Sequence, residues 1–354
     1  MIRWPGLARR SREERSGTRQ AAALERFWGW WVQTGAIEVA TAIADQQPDR
    51  IVGDLSGRLD DVHPGLAWEL GPGTTARHVL VVTCEGDPQL RALARRWRLG
   101  APEADELWEF ADTRRPVVDP QDVTLRIDGV DLDLVRASAQ ARVDGAAVDV
   151  TVYHPGFADM PEPSRTRAAF LMLDTVLGEA AVETWVGAIG SAQLPPLDPV
   201  PLAGLRVVVA ELQEQFTAAD GEPAWAVLEG RTSDGQPVQA RAQIPLRSAT
   251  APQFDTYVGV SVPFADRTPD GFPGAGSLQA LRDLEEHLGR RLDGSGRLVA
   301  HQTVAGTRVL HFYVDSTTPA VEQLRAAVVG WDQGRVRLTV QADPAWDSVR
   351  HLGG

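Results

Sequence analysis

The seven histidines are the first side chains that could define a chemical site, because imidazole binds metals and transfers protons near neutral pH. No two of them have the four-residue spacing that places a pair of metal ligands on one helix face. His301 and His311 lie on the two arms of one predicted hairpin. A three-residue turn would place them on the same sheet face, and a turn of two or four residues on opposite faces. With no third ligand beside them, the sequence predicts no metal site and no cofactor.

Nucleophilic and phosphate-binding motifs are also missing from the sequence. Cys84 is the only cysteine, which excludes a disulfide framework, a CxxC redox pair and a cysteine zinc cluster. It ends the run "HVLVVTC", so a buried packing role is favoured over a catalytic thiol. The glycines of "DGFPGAGS" precede a helix, but Gln279 stands where a dinucleotide-binding loop needs its third glycine, and no P-loop lysine follows. There is no GxSxG motif, so neither nucleotide binding nor a serine hydrolase is supported.

Carboxylates are abundant, and one pair has a spacing that allows shared chemistry. Asp131 and Asp133 lie on the same face of a predicted strand, about 7 Å apart, where they could bind a cation or act as an acid–base pair. In a chain this acidic, such a spacing arises readily by chance. An enzyme would need a site formed by both domains, with two titratable groups of opposed pKa shifts. Its first candidate residues are His154, His311, Asp131 and Tyr153.

Arginines on the last predicted strand indicate a different chemistry, the recognition of a partner. Arg335 and Arg337 are expected on the outward side of that strand. Neighbouring strands add Arg308, His311 and Tyr313. A basic patch with one aromatic ring on an open sheet face could bind an acidic protein or RNA. We predict these five as the binding residues, and the alternative is that the arginines only solubilise the sheet face.

The overall composition limits the classes of partner. The chain of 354 residues carries 35 basic and 48 acidic residues, a formal net charge of −13. Phosphate contacts need a basic surface, so binding to DNA or to an anionic membrane is disfavoured, and RNA is a less favoured partner than a protein. Every basic residue is Arg, and the chain has neither Lys nor Asn, a usage typical of a GC-rich, actinobacterium-like genome.

The beginning of the chain is strongly basic. The segment "MIRWPGLARRSREERSGTR" contains six Arg, and Glu25 and Arg26 interrupt the apolar stretch that a signal peptide would need. We predict residues 1–20 as a disordered Arg-rich tail. No segment is long and apolar enough to span a bilayer, so we expect a cytoplasmic protein.

An amphipathic helix opens the N-terminal domain, which is predicted at 21–192. Apolar residues recur there at helical spacing, and two of the three tryptophans fall on the apolar face. We therefore predict a core role for this face over the stacking of a ligand. The face consists of Leu24, Phe27, Trp28, Trp31 and Val32.

Strand and turn signals prevail in the rest of this domain. Two Asp-Gly pairs, at 128–129 and 144–145, each predict a hairpin between short β-branched runs. Ala168–Leu177 is apolar almost all round and predicts a buried helix. Hairpins with segregated helices favour an α+β domain with an antiparallel sheet. A proline-rich segment then predicts a linker at 193–203.

The C-terminal domain, predicted at 204–354, has the clearest pattern. After a helix and a hairpin, the remaining elements follow the β-α-β-β-α-β order of a ferredoxin-like unit, with both helices on one sheet face and the other face open. The fold class is therefore α+β with two domains, the second a ferredoxin-like unit extended by a β-hairpin. The predicted elements are helix 205–216, strands 224–229, 238–244 and 256–264, helix 278–292, strands 298–304 and 308–314, helix 320–329 and strand 336–340.

The end of the chain resembles a known family. The segments "GRLVAHQTVAGTRVLHFYVDS" and "VRLTVQADPAWDSV" look like the last hairpin and the D-P-x-W ending of the bacterial domain-of-unknown-function family 695. Upstream, "VVTCEGDPQLRAL", "VYHPGF" and "FLMLDTVLGE" resemble the N-terminal extension of its actinobacterial members. The family has no established activity, so the resemblance implies an architecture and no chemistry. The matching residues are Thr303, Gly306, Arg308, His311, Phe312, Tyr313, Asp343, Pro344 and Trp346.

Three functional hypotheses follow from these observations. The first is a non-catalytic protein-interaction or regulatory module that acts through the open sheet face or the cleft between domains, as the lack of standard catalytic motifs favours. The second is an enzyme with a site between the two domains. The third is a regulator of a ribonuclease by direct binding, because the last unit is similar in topology to the regulator of ribonuclease activity B, a protein inhibitor of ribonuclease E.

Overall fold

The computed structural model describes residues 5–219 and 221–353. The chain is an α+β protein, as the sequence predicts, and its contacts divide it into two compact units, Met1–Thr113 and Arg114–Gly354. The proline-rich segment at 193–203 lies inside the second unit, because Val200 pairs with a strand there and Leu202 is buried in its core. No described helix is both long enough and apolar enough to cross a membrane.

The described part of the first unit combines helices with a three-stranded sheet. Its elements are α1 (Pro5–Trp30), α2 (Ala36–Ala44), α3 (Asp49–Val62), β1 (Ala67–Pro72), β2 (His78–Thr83), α4 (Arg91–Leu99) and β3 (Trp108–Ala111). In the sheet, β2 lies between β1, to which it is antiparallel, and β3, to which it is parallel. α1 includes residues 5–20, predicted as a disordered tail, where Ala, Arg and Glu favour helix. Residues 1–4 of that tail lie outside the described residues.

Aromatic rings fill the core of the first unit, as the helical spacing predicts. Phe27, Trp28 and Trp31 are buried. The indole N–H of Trp28 donates to the carbonyl of Trp97 at 2.9 Å, so these rings serve packing. Val32 was expected on the same face but is 67% exposed. Residues from Trp31 onward form a π-helical turn, whose extra residue per turn rotates Val32 out of the apolar face.

The first half of the second unit builds a four-stranded sheet covered by helices. Its elements are β4 (Thr124–Ile127), β5 (Val130–Asp133), β6 (Ser138–Asp144), β7 (Ala147–Tyr153), α5 (Glu162–Leu177), α6 (Glu179–Trp185), β8 (Val186–Ala192), β9 (Val200–Pro201) and α7 (Leu205–Phe216). Both Asp-Gly pairs join antiparallel strands, as predicted. The sheet order is β8-β7-β6-β9, and β8 runs parallel to β7 because α5 and α6 carry the chain back between them. The sheet is therefore mixed, whereas an antiparallel sheet was expected.

The second half of this unit forms a six-stranded antiparallel sheet. Its elements are β10 (Ala224–Arg231), β11 (Pro237–Ile244), β12 (Thr256–Pro263), α8 (Ala275–Leu292), β13 (Gly296–Val304), β14 (Thr307–Val314), α9 (Ala320–Ala327) and β15 (Arg337–Ala342). The order across the sheet is β10-β11-β13-β14-β12-β15, so β10 and β15 are its edge strands. From β12 to β15 the elements follow the predicted β-α-β-β-α-β order.

Both faces of this sheet are covered at its centre. On one face, leucines of α8 and α9, among them Leu281 and Leu288, pack on the central strands. On the other face, Trp346 and Val349 pack from the last residues of the chain, where 347–352 form a 3₁₀ turn. Apolar and aromatic side chains alternate onto this second face and need cover from water. The face that was expected to be open is therefore closed by the chain's own C-terminal residues.

Candidate functional site

The five residues predicted for partner binding fall into two groups. Arg337, the first residue of β15, and Arg335, two residues before the strand, are exposed. Arg308, His311 and Tyr313 of β14 are 7%, 5% and 0% exposed, which corrects the expectation of one open patch. The physical reason is the strand itself, whose successive side chains point to opposite faces. Arg308 faces α8, whereas His311 and Tyr313 lie beneath the C-terminal residues.

Arg308 holds α8 to the end of the sheet. Its Nε donates to Oγ1 of Thr303 at 2.9 Å, and its Nη1 donates to Oε1 of Glu285 at 2.8 Å. The side chains of Arg308 and Glu285 are 8% and 17% exposed. Removing one partner of such a buried pair would leave the other charge uncompensated. Arg308 therefore has a structural role in the described contacts.

His311 forms a buried polar pair with Tyr257. The Tyr257 hydroxyl lies 2.9 Å from Nδ1 of His311, and Nε2 of His311 has no hydrogen-bond partner in the described part of the chain. Burial lowers the pKa of His311 to about 4, and the neighbouring His351 adds to this effect. Burial also raises the pKa of Tyr257 to about 12, with a further contribution from Asp343. Both side chains are therefore neutral at pH 7, and the pair carries no charge.

Tyr313 and Trp346 anchor the C-terminal residues over the sheet. The Tyr313 hydroxyl donates to Oδ2 of Asp343 at 2.6 Å, and the Trp346 ring stacks on the Tyr313 ring with centroids 4.3 Å apart. The indole N–H of Trp346 donates to the carbonyl of Phe254 at 2.9 Å. Burial alone would raise the pKa of Asp343, but hydrogen bonds from Ser348 and Tyr313 hold that pKa below its usual value. The Asp and Trp of the D-P-x-W sequence thus serve to close the sheet.

Three of the four residues considered for an enzyme site, His154, His311 and Asp131, contact different partners. His154 is buried, and its Nδ1 accepts a hydrogen bond from the backbone N–H of Gly156 at 2.9 Å. Asp131 is exposed on β5, where its carboxylate lies 3.4 Å from the guanidinium of Arg126. Among the described contacts, no hydrogen bond joins His154, Asp131 and Tyr153. The structure therefore does not bring these residues together as a catalytic group.

His301 and His311 are also separated. The turn between β13 and β14 consists of two residues, at 305–306. His301 is paired across the strands with Leu310, and His311 with Ala300. The two imidazoles consequently lie on opposite sheet faces, which is the outcome that the sequence predicts for a two-residue turn. They cannot share a metal ion.

The exposed arginines line a groove along the edge of the sheet. β15 pairs with β12 on one side, and a groove of about 520 Å³ lies beside it. Arg325, Arg335 and Arg337 line this groove together with Val336 and Leu338. The sequence predicts Arg335 and Arg337 as binding residues but gives no signal for Arg325. That residue belongs to α9, and only the fold brings the helix beside the strand.

Positive charge prevails in the groove although the chain as a whole is acidic. Nε of Arg325 lies 3.5 Å from Oε1 of Glu322, an ion pair that is largely exposed to water. Such pairs contribute little to stability, so Arg325 can exchange its partner at small cost. Arg335 and Arg337 form no ion pair with any residue that the structure describes. Two guanidinium groups are thus available to a negatively charged ligand.

The six-stranded sheet is also the part of the chain that resembles other proteins. Residues 225–351 match a family model described as Family of unknown function (DUF695). The matched segment contains the groove, the Tyr257–His311 pair and the contacts of Tyr313. No curated protein matches the chain, and the similarity to the regulator of ribonuclease activity B stays a prediction. The resemblance of the C-terminal part, residues 225–351, to a family whose function is unknown is thereby confirmed.

Proposed function

We propose that the C-terminal part of the chain is a protein-interaction module that binds an acidic, extended segment of a partner protein along β15. The observation that carries this proposal is the groove in which Arg325, Arg335 and Arg337 lie beside an edge strand. The module acts without catalysis and in the cytoplasm, a location that fits a chain whose only cysteine is Cys84. The binding surface is the edge of the sheet, and not the face that the sequence suggested.

The backbone of an edge strand offers hydrogen-bonding groups to a second chain. On its free side, β15 has no neighbouring strand in the described sheet. Exposed edges of this kind accept an added strand from a partner. Charged residues on an edge discourage pairing between identical copies, and Arg335 and Arg337 have this effect here. The same charges attract a strand of opposite sign, so an acidic segment is the favoured occupant.

The side chains at the start of β15 and in the two residues before it supply two kinds of contact to an added strand. Arg335 and Arg337 are exposed, whereas Val336 and Leu338 are half-buried. A partner strand with an acidic residue at every second position would place its carboxylates beside the two arginines. Guanidinium and carboxylate groups then form paired, charge-assisted hydrogen bonds.

RNA is the weaker alternative for this groove. Recognition of single-stranded RNA relies on aromatic side chains that stack on the bases. Tyr313, the aromatic residue predicted for the patch, is buried. The described residues that line the groove include no aromatic side chain. RNA could therefore bind the groove only through the charge of the arginines. An acidic strand could bind through this charge and also through hydrogen bonds to the edge of β15.

The test is the binding of a labelled strand peptide to the full-length protein, followed by fluorescence anisotropy. The probe is a peptide of alternating Glu and Thr, and its matched control has Lys in place of every Glu. We expect the protein to bind the acidic peptide and not the basic one. Arg335→Glu combined with Arg337→Glu should weaken binding at least about tenfold, since a hydrogen bond to a charged group contributes about 1.5–3 kcal/mol.

Two controls separate strand addition from general electrostatic attraction. Arg126→Glu with Arg142→Glu makes the same charge change on exposed arginines of β4 and β6 and should weaken binding much less than the groove variant. N-methylation of alternate backbone amides of the peptide removes donors without changing its charge and should abolish binding. The proposal is wrong if the reversed groove still binds the peptide, if the methylated peptide binds equally, or if a single-stranded RNA of equal charge binds more tightly.

A further inference from the structure

A second cavity, distinct from the groove beside β15, lies within the second unit. Its volume is about 180 Å³, and it lies where the ends of α6 and α7 meet the start of β13. Trp185 and Phe216, the last residues of those helices, contribute to its wall together with Pro223 and Pro245. Arg297, the second residue of β13, also lines it. The cavity therefore combines aromatic walls with a guanidinium group, and Glu222 also lines it.

Arg297 has unused hydrogen-bonding capacity at this cavity. Its Nη2 lies 3.3 Å from Oε2 of Glu222, and the Arg297 side chain is 26% exposed. Its Nη1 is buried and has no acceptor among the residues that the structure describes. A buried N–H group without an acceptor costs free energy, which a ligand oxygen in the cavity would recover. Because Nη1 is buried beside the cavity, a rotation of the Arg297 guanidinium group is needed to present its two N–H groups to a bound acceptor.

We propose that this cavity binds a small organic monocarboxylate. Arg297 holds the carboxylate, and Trp185 and Phe216 contact the hydrocarbon part of the ligand. A guanidinium group matches the geometry of a carboxylate and forms strong hydrogen bonds to it. The flat apolar surfaces of Trp and Phe favour a ring or a short hydrocarbon chain.

Charge and size together select this class of ligand. Glu222 already offsets part of the positive charge of Arg297, so a doubly charged group such as a phosphate ester would be poorly compensated. The apolar walls also favour a ligand with a hydrocarbon part over a fully hydrated anion. Pockets for drug-sized molecules measure about 300–1,000 Å³, and this cavity is smaller, which limits the ligand to about one ring.

The experiment compares benzoate with benzamide, its neutral counterpart of the same shape. Saturation-transfer NMR detects binding to the full-length protein, and calorimetry measures the dissociation constants. We expect benzoate to bind in the millimolar range or more tightly. Benzamide should bind at least about tenfold more weakly, because it cannot form a charge-assisted pair with Arg297.

Variants of the two charged residues move the affinity in opposite directions. Arg297→Gln should weaken benzoate binding at least about tenfold. Arg290→Gln, on the exposed surface of α8, is the matched control and should leave binding unchanged. Glu222→Gln should tighten benzoate binding, because it removes a negative charge beside Arg297. A gain of affinity cannot result from misfolding.

Several results would overturn this proposal. The proposal is contradicted if benzoate does not bind at millimolar concentration, or if benzamide binds as tightly as benzoate. Alternatively, a folded Arg297→Gln variant would retain the wild-type affinity for benzoate. If that variant does not fold, Glu222→Gln decides, and an unchanged or weaker affinity for benzoate in that variant contradicts the assignment.

Discussion

At the level of single residues, two histidines link the stability of the six-stranded sheet to pH. Burial lowers the pKa of His301 to about 3, and the positive charges of Arg308 and Arg241 add to this effect. Burial also lowers the pKa of His311 to about 4, with a contribution from His351. Both imidazoles are neutral in the folded protein over a range in which an unfolded histidine binds a proton. Unfolding in that range is therefore coupled to proton uptake.

We expect the free energy of unfolding to fall as the pH decreases from about 6.5 to about 4. In this window the unfolded chain binds more protons than the folded one at His311, so acid favours the unfolded state. His311→Gln retains a hydrogen-bonding partner for Tyr257 but cannot titrate, and it should flatten this pH dependence. Urea unfolding at several pH values measures the effect, with His287→Gln on α8 as the control. Equal slopes in the wild type and in His311→Gln would contradict the explanation.

At the level of the elements, α8 shows which patterns the sequence encodes strongly. Leu281, Leu284, Leu288 and Leu292 recur at helical spacing and are all buried against the sheet. A periodic pattern of this length fits a helix and no other element, so its type is predicted well. The helix begins at Ala275, three residues before the predicted start at Leu278, because end residues lie outside the apolar repeat.

The same packing makes Leu288 a test of the core. Leu288→Ala should lower the free energy of unfolding by about 2–5 kcal/mol, since it removes buried methyl groups and leaves a cavity. Val329→Ala is the control, because Val329 is 81% exposed and its truncation should cost almost nothing. Urea unfolding of the two variants measures the difference. A loss well below about 1 kcal/mol for Leu288→Ala would show that α8 does not pack as described.

Short segments and long-range contacts account for what the sequence could not predict. The turn that covers the sheet spans only 347–352, too few residues for a periodic pattern. Its anchor, Trp346, has a positive φ of 59°, a backbone geometry that a tryptophan in the sequence does not predict. Because the sequence does not predict that this turn covers the sheet, it predicts exposed positions for His311 and Tyr313. The family-like sequence of the last hairpin identified His311 and Tyr313 as residues of interest. Their partners, such as His351 beside His311, come from other parts of the chain.

The strand order shows the same division between local and long-range information. Hairpins at Asp-Gly pairs follow from two residues and were predicted, because the backbone of these turns requires positive φ at Gly129. That β15 lies at the edge, beside β12, depends on contacts across some eighty residues and has no local signature. Arg335 and Arg337 could therefore be named from the sequence, whereas the groove that they line could not. The ferredoxin-like assignment of this unit stays a prediction.

At the level of the whole molecule, two charge effects act on an acidic partner: long-range repulsion by the net charge of the chain and short-range attraction by the arginines of the groove. The chain carries a net charge of −13, and the groove beside β15 is a local exception. An acidic partner is repelled by the chain as a whole and attracted by the arginines when it is close. Salt sets the reach of both effects, because charges interact over about 30 Å at 0.01 M, about 10 Å at 0.1 M and about 3 Å at 1 M. Ionic strength can therefore separate them.

We expect the affinity for the Glu/Thr peptide to pass through a maximum at about 0.1 M salt. At lower salt the net charge of −13 repels the peptide, and at higher salt the attraction of Arg335 and Arg337 is screened as well. Arg335→Glu with Arg337→Glu retains only the repulsion and should show no maximum. Anisotropy titrations between about 0.01 and 1 M salt measure this. If the affinity falls steadily from the lowest salt concentration, the attraction of the local arginines outweighs the repulsion by the net charge at every salt concentration. If the affinity rises steadily, the arginines do not bind the peptide.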